Sequence, residues 1–484
     1  MHKHPNYLRR KTKIVATLGP ATDDPAVMES LLLEGVNVVR LNFSHGSHED
    51  HARRVNLVRR LATKLGRVVG ILGDLQGPKI RVAKFTDGAV MLNQGDHFTL
   101  SATHDPVAGT NQIVGIDYKD LPRDVEPGDT LLLDDGRLRF KVMQVDGEDI
   151  HCEVLNSAKL SNNKGINRFG GGLNATALTE KDKVDLKFAV EMSMDYIALS
   201  FPRDASDIHE TRNLMESHGG TAGIIAKIER AEAVQCIDEI VIASDGVMVA
   251  RGDLAVEIGD SEVPLVQKEI IRSARSLDKP VIVATQMMES MITEPVPTRA
   301  EVSDVANAVL DNADAVMLSA ETAAGQHPVA SVAIMSDVCL RVEQQPCSQT
   351  SGHRLECEFK RVDEAIAMAT MYTANHLAVK AVVAMTESGA TTLWMSRIRT
   401  GLPIYGLSRY DRALGKMTLY RGVYPIAFDL TTCTRDNMNS KAVEVLQNRG
   451  LLQDGDTVIL TKGDLLGVGG GSNAMKILEV GRIL

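Results

Sequence analysis

Short runs rich in Val, Ile and Ala recur between residues 12 and 77 and again between about 174 and 345, separated by amphipathic stretches of helical length. Continuous apolar runs alternating with helices are the pattern of parallel strands, buried on both faces and joined by crossover helices. Eight such runs are present: KIVATLGP, VNVVRLNFSHG, VVGILGDLQG, DYIALSFPR, GIIAKIERAE, EIVIASDGVMVARGD, KPVIVATQMMES and DAVMLSAET. Eight strands close a (β/α)8 TIM barrel, and counting alone leaves a doubly wound open sheet as the alternative. The polar positions favour the barrel. Asn42, Ser44, Asp74, Lys227, Glu229, Asp253, Thr285, Ser319 and Glu321 fall at or just past the C-terminal ends of the runs, and a barrel gathers those ends on one rim.

The periodicity changes between about 78 and 173. HFTLSA, QIVGID, PGDTLLLDDGRLRFKVMQV and DIHCEVL alternate with period two, with Asp135-Gly136 at a turn. This predicts a small antiparallel β domain, a miniature β-barrel, inserted after the third barrel strand. Its return path contains Gly170, Gly171 and Gly172, a hinge for a lid that closes over the rim. After the polar linker QPCSQTSG, the strand-like runs AVVAM, PIYGLS, VYPIAF and DTVILT alternate with helical stretches, predicting a C-terminal α/β domain. The expected division is 1–77 with 174–345, 78–173, and 346–484.

Composition narrows the partners. The 484 residues carry 53 Lys and Arg against 63 Asp and Glu, a net charge of −10, which argues against nucleic acid or an acidic membrane surface as a partner. Six scattered cysteines, with no CxxC pair, fit plain thiols in a reducing compartment. The basic N-terminus is followed by ATLGPATDD, not by the apolar core of a signal peptide, and no run of about 18 apolar residues occurs, so the cytoplasm is the expected location.

The chemistry concentrates in GIIAKIERAE. Alternate side chains of a strand share a face, so Lys227 and Glu229 point the same way. An isolated Lys-x-Glu reads equally as a structural ion pair, but Asp253 at the neighbouring strand end supplies a second carboxylate. Two carboxylates are the usual protein share of a Mg2+ site, completed by water and substrate oxygens, with Lys227 facing a developing oxyanion. Arg40, Asn42 and Ser44 form a polar cradle for phosphate or carboxylate, and with Asp74 and Arg81 they point to a phosphorylated substrate. Neither nucleotide-binding glycine fingerprint is present; GVGGGSN near the C-terminus lacks the strand and helix context.

Taken together, KIVATLGPAT, VRLNFSHG, DLQGPKIR, IIAKIERAEAV, ARGDLAVEI, ATQMMESM, PTRAEVSDVANAVLD and AVMLSAETAAG resemble the pyruvate kinase family, in order and across essentially the whole chain. The resemblance implies phosphoryl transfer from phosphoenolpyruvate to ADP, giving pyruvate and ATP, by a cytoplasmic homotetramer. It implies that Glu229 and Asp253 hold Mg2+ or Mn2+, and that Lys227 stabilises the phosphoryl group and enolate. Arg40 would grip the phosphate, and Gly252 with Thr285 would receive the carboxylate. Thr285, Ser319 and Glu321 would relay the proton to the methylene carbon, and Arg81 and Lys164 would meet the nucleotide phosphates. Two rivals are another Mg2+-dependent barrel handling phosphoenolpyruvate or pyruvate, such as a mutase or aldolase, and a non-catalytic effector-binding relative.

Two departures from the family pattern stand out in the sequence. Ala255 replaces the usual glycine of ARGDLGVE. Where many members read DTKGPEIRT and require K+, held by residues matching Asn42, Ser44 and Asp74, this chain reads DLQGPKIRV. Lys79 in place of Glu adds two positive charge units, a tethered substitute for K+; the alternative is a solvated surface lysine. In the C-terminal domain, Thr386, Ser388, Gly389, Thr391 and Thr392 precede or begin a helix and form a candidate phosphate cradle, with ordinary helix capping as the competing reading. The later loop TKGDLLGVGGGSN lacks the Trp and Arg of fructose-1,6-bisphosphate-responsive relatives, so the expected effector is a sugar monophosphate or a nucleotide monophosphate.

Overall fold

The computed structural model describes residues 10–346, 358–429, 431, 433, 434, 437–463 and 471–482. Most of the QPCSQTSG linker and much of GVGGGSN lie outside them. Three strands come first: β1 (Lys13–Thr17), β2 (Val38–Asn42) and β3 (Gly70–Asp74). The chain then leaves for an insertion containing β4 (Ala89–Leu92), β5 (His97–Ser101), β6 (Ile113–Gly115), β7 (Thr130–Leu133), β8 (Leu138–Asp146), β9 (Asp149–Val154), β10 (Ala158–Ser161) and β11 (Ile166–Arg168). It returns for β12 (Tyr196–Leu199), β13 (Gly223–Ile228), β14 (Gly246–Ala250), β15 (Val281–Ala284) and β16 (Ala315–Leu318). The three early and five late strands close one parallel barrel in the order β1-β16-β15-β14-β13-β12-β3-β2. The open-sheet alternative is thereby excluded.

Local chemistry starts the crossover helices where the pattern requires. Ser47 with Asp50, Thr179 with Asp182, and Thr298 with Glu301 form reciprocal capping boxes, each satisfying backbone donors that a helix start leaves open. One apolar core lies between strands and helices. A second fills the barrel lumen (Val15, Val38, Leu72, Ile225, Met248, Ile282) and runs out through its N-terminal mouth into the C-terminal domain, reaching Met371, Met417 and Tyr420. Tyr196 marks the junction, its hydroxyl donating to Lys416 O at 2.7 Å.

The insertion closes into the expected miniature barrel: its six-stranded sheet (β11-β7-β8-β9-β5-β6) has both edges joined by the segment 80–83, where Arg81 bridges Gly165 ahead of β11 and Val82 bridges Ile116 beyond β6. β10 and β4 pair as a separate two-stranded sheet. The insertion differs from the sequence expectation in one way: it is not wholly antiparallel, because β5 and β6 pair in parallel. The Asp135-Gly136 turn is present, with positive φ at Asp134, Asp135 and Gly136 joining β7 to β8. At the other end, Gly171 has φ 81°, and a Cβ there would lie 2.5 Å from the Glu232 carboxylate. The positive φ favours glycine there, and without a Cβ the insertion's return path passes beside the Glu232 side chain unhindered.

The C-terminal sheet has β17 (Ala381–Met385), β18 (Ile404–Ser408), β19 (Val423–Ala427), β20 (Thr457–Gly463) and β21 (Ser472–Glu479), in the order β19-β18-β17-β20-β21. The antiparallel edge strand β21 has no counterpart among the four expected runs. Its sequence, SNAMKILE, alternates too irregularly for a period-two signal. No helix among the described residues is long and apolar enough to cross a membrane.

Candidate active site

The C-terminal rim carries a dense ion network. Pairing of β2 with β3 sets Asn42 opposite Asp74, and pairing of β3 with β12 sets Asp74 opposite Ala198, two residues before Ser200. Arg40 Nε donates to Asp74 Oδ2 at 2.5 Å, and Nη1 donates to Thr17 Oγ1 at 3.0 Å. Lys227 Nζ lies 2.9 Å from Glu229 Oε1 and 3.3 Å from Asp74 Oδ1, and it donates to Ser200 Oγ at 2.7 Å. The other Glu229 oxygen accepts from Phe201 N at 2.9 Å. Lys227 and Glu229 share a face, as strand periodicity requires, and their pairing extends to Asp74 on the third strand.

Burial and charge compete within this network. Burial favours the neutral form of Asp74, but Lys227 and Arg40 outweigh it and hold the carboxyl below its ordinary range. Burial works against the Lys227 ammonium as well, yet Asp74 and Glu229 keep it charged and raise its pKa. Glu229 is pushed up to about 7, first by burial and further by the nearby Asp253 charge, against the pull of Lys227.

Beyond β14 the chain turns directly into the helix Arg251–Ile258, which presents Gly252 and Asp253. Gly252 N donates to Thr285 Oγ1 at 2.9 Å from the end of β15. Past β16, Glu321 accepts from Ser319 N at 2.7 Å and Met288 N at 3.2 Å, while burial pushes its carboxyl above the ordinary range. Ser319 Oγ is buried without a hydrogen-bond partner. Gly252, Asp253, Thr285, Ser319 and Glu321 line a cleft of about 620 Å³ between barrel and lid. Arg40, Asn42, Ser44, Arg81, Lys164, Lys227 and Glu229 line a neighbouring one of about 340 Å³. Lys79 and Asp253 border both.

These observations meet the comparison with known proteins. The pyruvate kinase barrel domain matches residues 9–332, and the pyruvate kinase alpha/beta domain matches residues 364–478. The chain belongs to the pyruvate kinase family. It is 56% identical over 477 residues to Pyruvate kinase II of Salmonella typhimurium, covering 97% of this chain and 99% of that one. It is 53% identical over 458 residues to the pyruvate kinase of Haemophilus influenzae, covering 94% and 96%. With the pyruvate kinase of Buchnera aphidicola from Acyrthosiphon pisum it shares 52% over 479 residues, covering 98% and 99%. As a member of this pyruvate kinase family the chain is a phosphotransferase.

The residues at the rim fit the divalent cation that pyruvate kinases use. Glu229 and Asp253 offer only oxygen donors, they lie close enough for the Asp253 charge to add to the upward push that burial exerts on Glu229, and both border the same cleft. No group of three or more His, Cys, Asp or Glu able to hold a metal occurs among the described residues, so water and substrate oxygens would complete a Mg2+ or Mn2+ shell.

Lys79 is placed differently from its expected neighbourhood. Its Nζ sits 3.4 Å from Asp253 Oδ1 rather than beside Asp74, whose oxygens face Arg40, Lys227 and Ser200. Gly77, with φ 69° and no room for a Cβ against Ser200, makes the bend that carries the chain from the rim toward the lid. Lys164 pairs with Asp134 at 2.7 Å, and Arg81 Nη1 donates to Lys79 O at 3.4 Å. In the C-terminal loop, Thr386 Oγ1 accepts from Gly389 N, Thr392 Oγ1 donates to Gly389 O, Thr391 Oγ1 shares a hydrogen bond with Ser472, and Ser388 Oγ accepts from Ala390 N. Capping and internal bonds therefore account for these hydroxyls.

Sequence reasoning passed over Thr17, Ser200 and Arg251. The first two follow the same rule as the residues it found, polar positions at a strand's C-terminal end, and that signal was available in KIVATLGP and DYIALSFPR. Arg251, directly after β14, follows it too, but its partners are distant in sequence and gave no signal of their own.

Proposed function

We propose that the enzyme transfers the phosphoryl group of phosphoenolpyruvate to ADP, giving pyruvate and ATP. The observation that carries this is the rim itself: two carboxylates suited to a divalent cation, flanked by Lys227 and Arg40 and adjoining the Gly252–Thr285 corner. Arg40 and Lys227 would bind the phosphoryl oxygens, and Gly252 N–H with Thr285 would take the carboxylate. Held in line, an ADP β-phosphate oxygen forms the new P–O bond as the bond to the enol oxygen breaks. A divalent cation at Glu229 and Asp253 would draw charge from the phosphoryl and enolate oxygens. Lys227 stabilises that enolate, and its methylene carbon takes a proton from water near Thr285, supplied through Ser319 and Glu321. Arg81 and Lys164 would orient the nucleotide as the lid closes. An assay coupling pyruvate formation to NADH oxidation tests the reading. ADP-dependent turnover is expected; phosphoenolpyruvate consumption independent of ADP would favour a mutase or aldolase.

The reading extends to the monovalent cation. Asp74 is already neutralised by Arg40 and Lys227, and Lys79 adds a tethered ammonium at Asp253, so the enzyme works without K+. With tetramethylammonium as the sole monovalent cation, full activity is expected for the wild type, and Lys79→Glu is expected to create K+ dependence. Strong K+ activation of the wild type refutes this. A sugar monophosphate or nucleotide monophosphate would activate through the Thr386–Thr392 loop by exchanging its internal hydrogen bonds for phosphate contacts; unchanged activation in Thr391→Glu counts against that site. A cytoplasmic homotetramer divided at 1–77 with 174–345, 78–173 and 346–484 completes the proposal.

A further inference from the structure

Gly252, Asp253 and Thr285 line the larger cleft, whereas Arg251 and Asp304 do not. Arg251 nevertheless fixes the geometry of that wall. Its guanidinium is buried; Nε donates to Ala284 O at 3.2 Å, and Nη2 donates to Thr285 O at 2.6 Å and touches Met287 Sδ. Nη1 donates to Asp304 Oδ2 at 2.6 Å, on the helix Arg299–Leu310. One planar fork thus joins the end of β14 to the end of β15 and to an outer helix, through contacts that a lysine's point charge cannot make together.

The peptide it grips is strained. Thr285 has φ 64° and Gln286 φ 54°, two successive left-handed residues of which the first is β-branched. Such a conformation persists only where its surroundings over-determine it. In exchange, Thr285 Oγ1 stands 2.9 Å from Gly252 N, making a compact polar corner beside Asp253. Without the fork, Thr285 relaxes toward ordinary backbone and the corner opens.

We propose that Arg251, oriented by Asp304, is a positioning residue that holds Gly252 N–H and Thr285 at the spacing required by the carboxylate of phosphoenolpyruvate. This rests on the substrate reading above. It separates the two substrates, because the Arg251 contacts fix the carboxylate corner and reach neither Arg81 nor Lys164.

The test compares wild type with Arg251→Met, Arg251→Lys and Asp304→Ala, varying phosphoenolpyruvate and ADP separately and measuring Mn2+ affinity directly. In Arg251→Met, kcat/KM for phosphoenolpyruvate is expected to fall about a hundredfold, the scale of a 1 Å misplacement, with KM for ADP and Mn2+ affinity near wild type. Arg251→Lys recovers part of the loss, and Asp304→Ala shows the same selectivity at smaller size. Wild-type kcat/KM for phosphoenolpyruvate in Arg251→Met overturns the inference, as does a KM for ADP raised as much as the KM for phosphoenolpyruvate. Should Arg251→Met fail to fold, Asp304→Ala decides by the same criterion. Absence of ADP-dependent pyruvate formation in the wild type refutes the substrate reading instead.

Discussion

Replacing Arg397 by Met removes one half of an ion pair that joins the C-terminal domain to the barrel. Arg397 and Asp314 are both 0% exposed at the side chain, so neither charge can be compensated by water. The guanidinium donates to both Asp314 oxygens and, at 3.0 Å, to Lys279 O. Removing one partner of such a pair costs about 3–5 kcal/mol, because the remaining charge stays buried. Asp314 would retain Val281 N and Arg421 N, each at 3.1 Å. Arg275 would also gain, since burial and then Arg397 push its pKa down to about 9. These compensations place the expected loss near the lower end, at about 3 kcal/mol. Guanidinium titration reads this as a lower midpoint at unchanged slope. Adding Asp314→Asn to Arg397→Met is expected to recover about half, because it removes the stranded charge while keeping an acceptor. A loss below about 1 kcal/mol in Arg397→Met, or no recovery in the double variant, refutes the reasoning.

Three further outcomes follow from other parts of the fold. Burial first, and then Arg10, lower Lys13 to about 7, so the folded enzyme releases its proton there while the unfolded chain holds it to about 10.5; stability should rise by on the order of 5 kcal/mol between those pH values, and Lys13→Met should abolish that rise in a midpoint-against-pH series. Gly171→Ala forces a Cβ against Glu232 at positive φ and should cost about 1–2 kcal/mol, read as faster proteolytic cleavage at the lid's return strand. Glu321→Gln keeps an acceptor for only one of the Ser319 and Met288 amides and removes the titrating proton, so kcat is expected to fall about a hundredfold while KM for ADP stays constant; an unchanged kcat removes Glu321 from the proton path.

The alternation of apolar runs and capped helices determined the eight barrel strands, because both signals are local: period, burial on two faces, and side-chain caps within a turn. The same locality placed Lys227 on one face with Glu229 and set Asp74, Asp253, Thr285 and Glu321 at or just past the C-terminal ends of their strands. Closure of the barrel decided the rest. It brought Ser200 and Asp74 onto Lys227, carried Lys79 to Asp253 instead of Asp74, and let Arg251 reach across to Thr285 and Asp304. Docking of the C-terminal domain buried Arg397 against Asp314, 83 residues away, and within that domain the irregular β21 is defined by its pairing with β20. Side-chain partners separated by tens to hundreds of residues carry no period along the chain. Their identity is fixed only when the strands close and each buried charge must find a counter-charge or hydrogen-bond partner within reach.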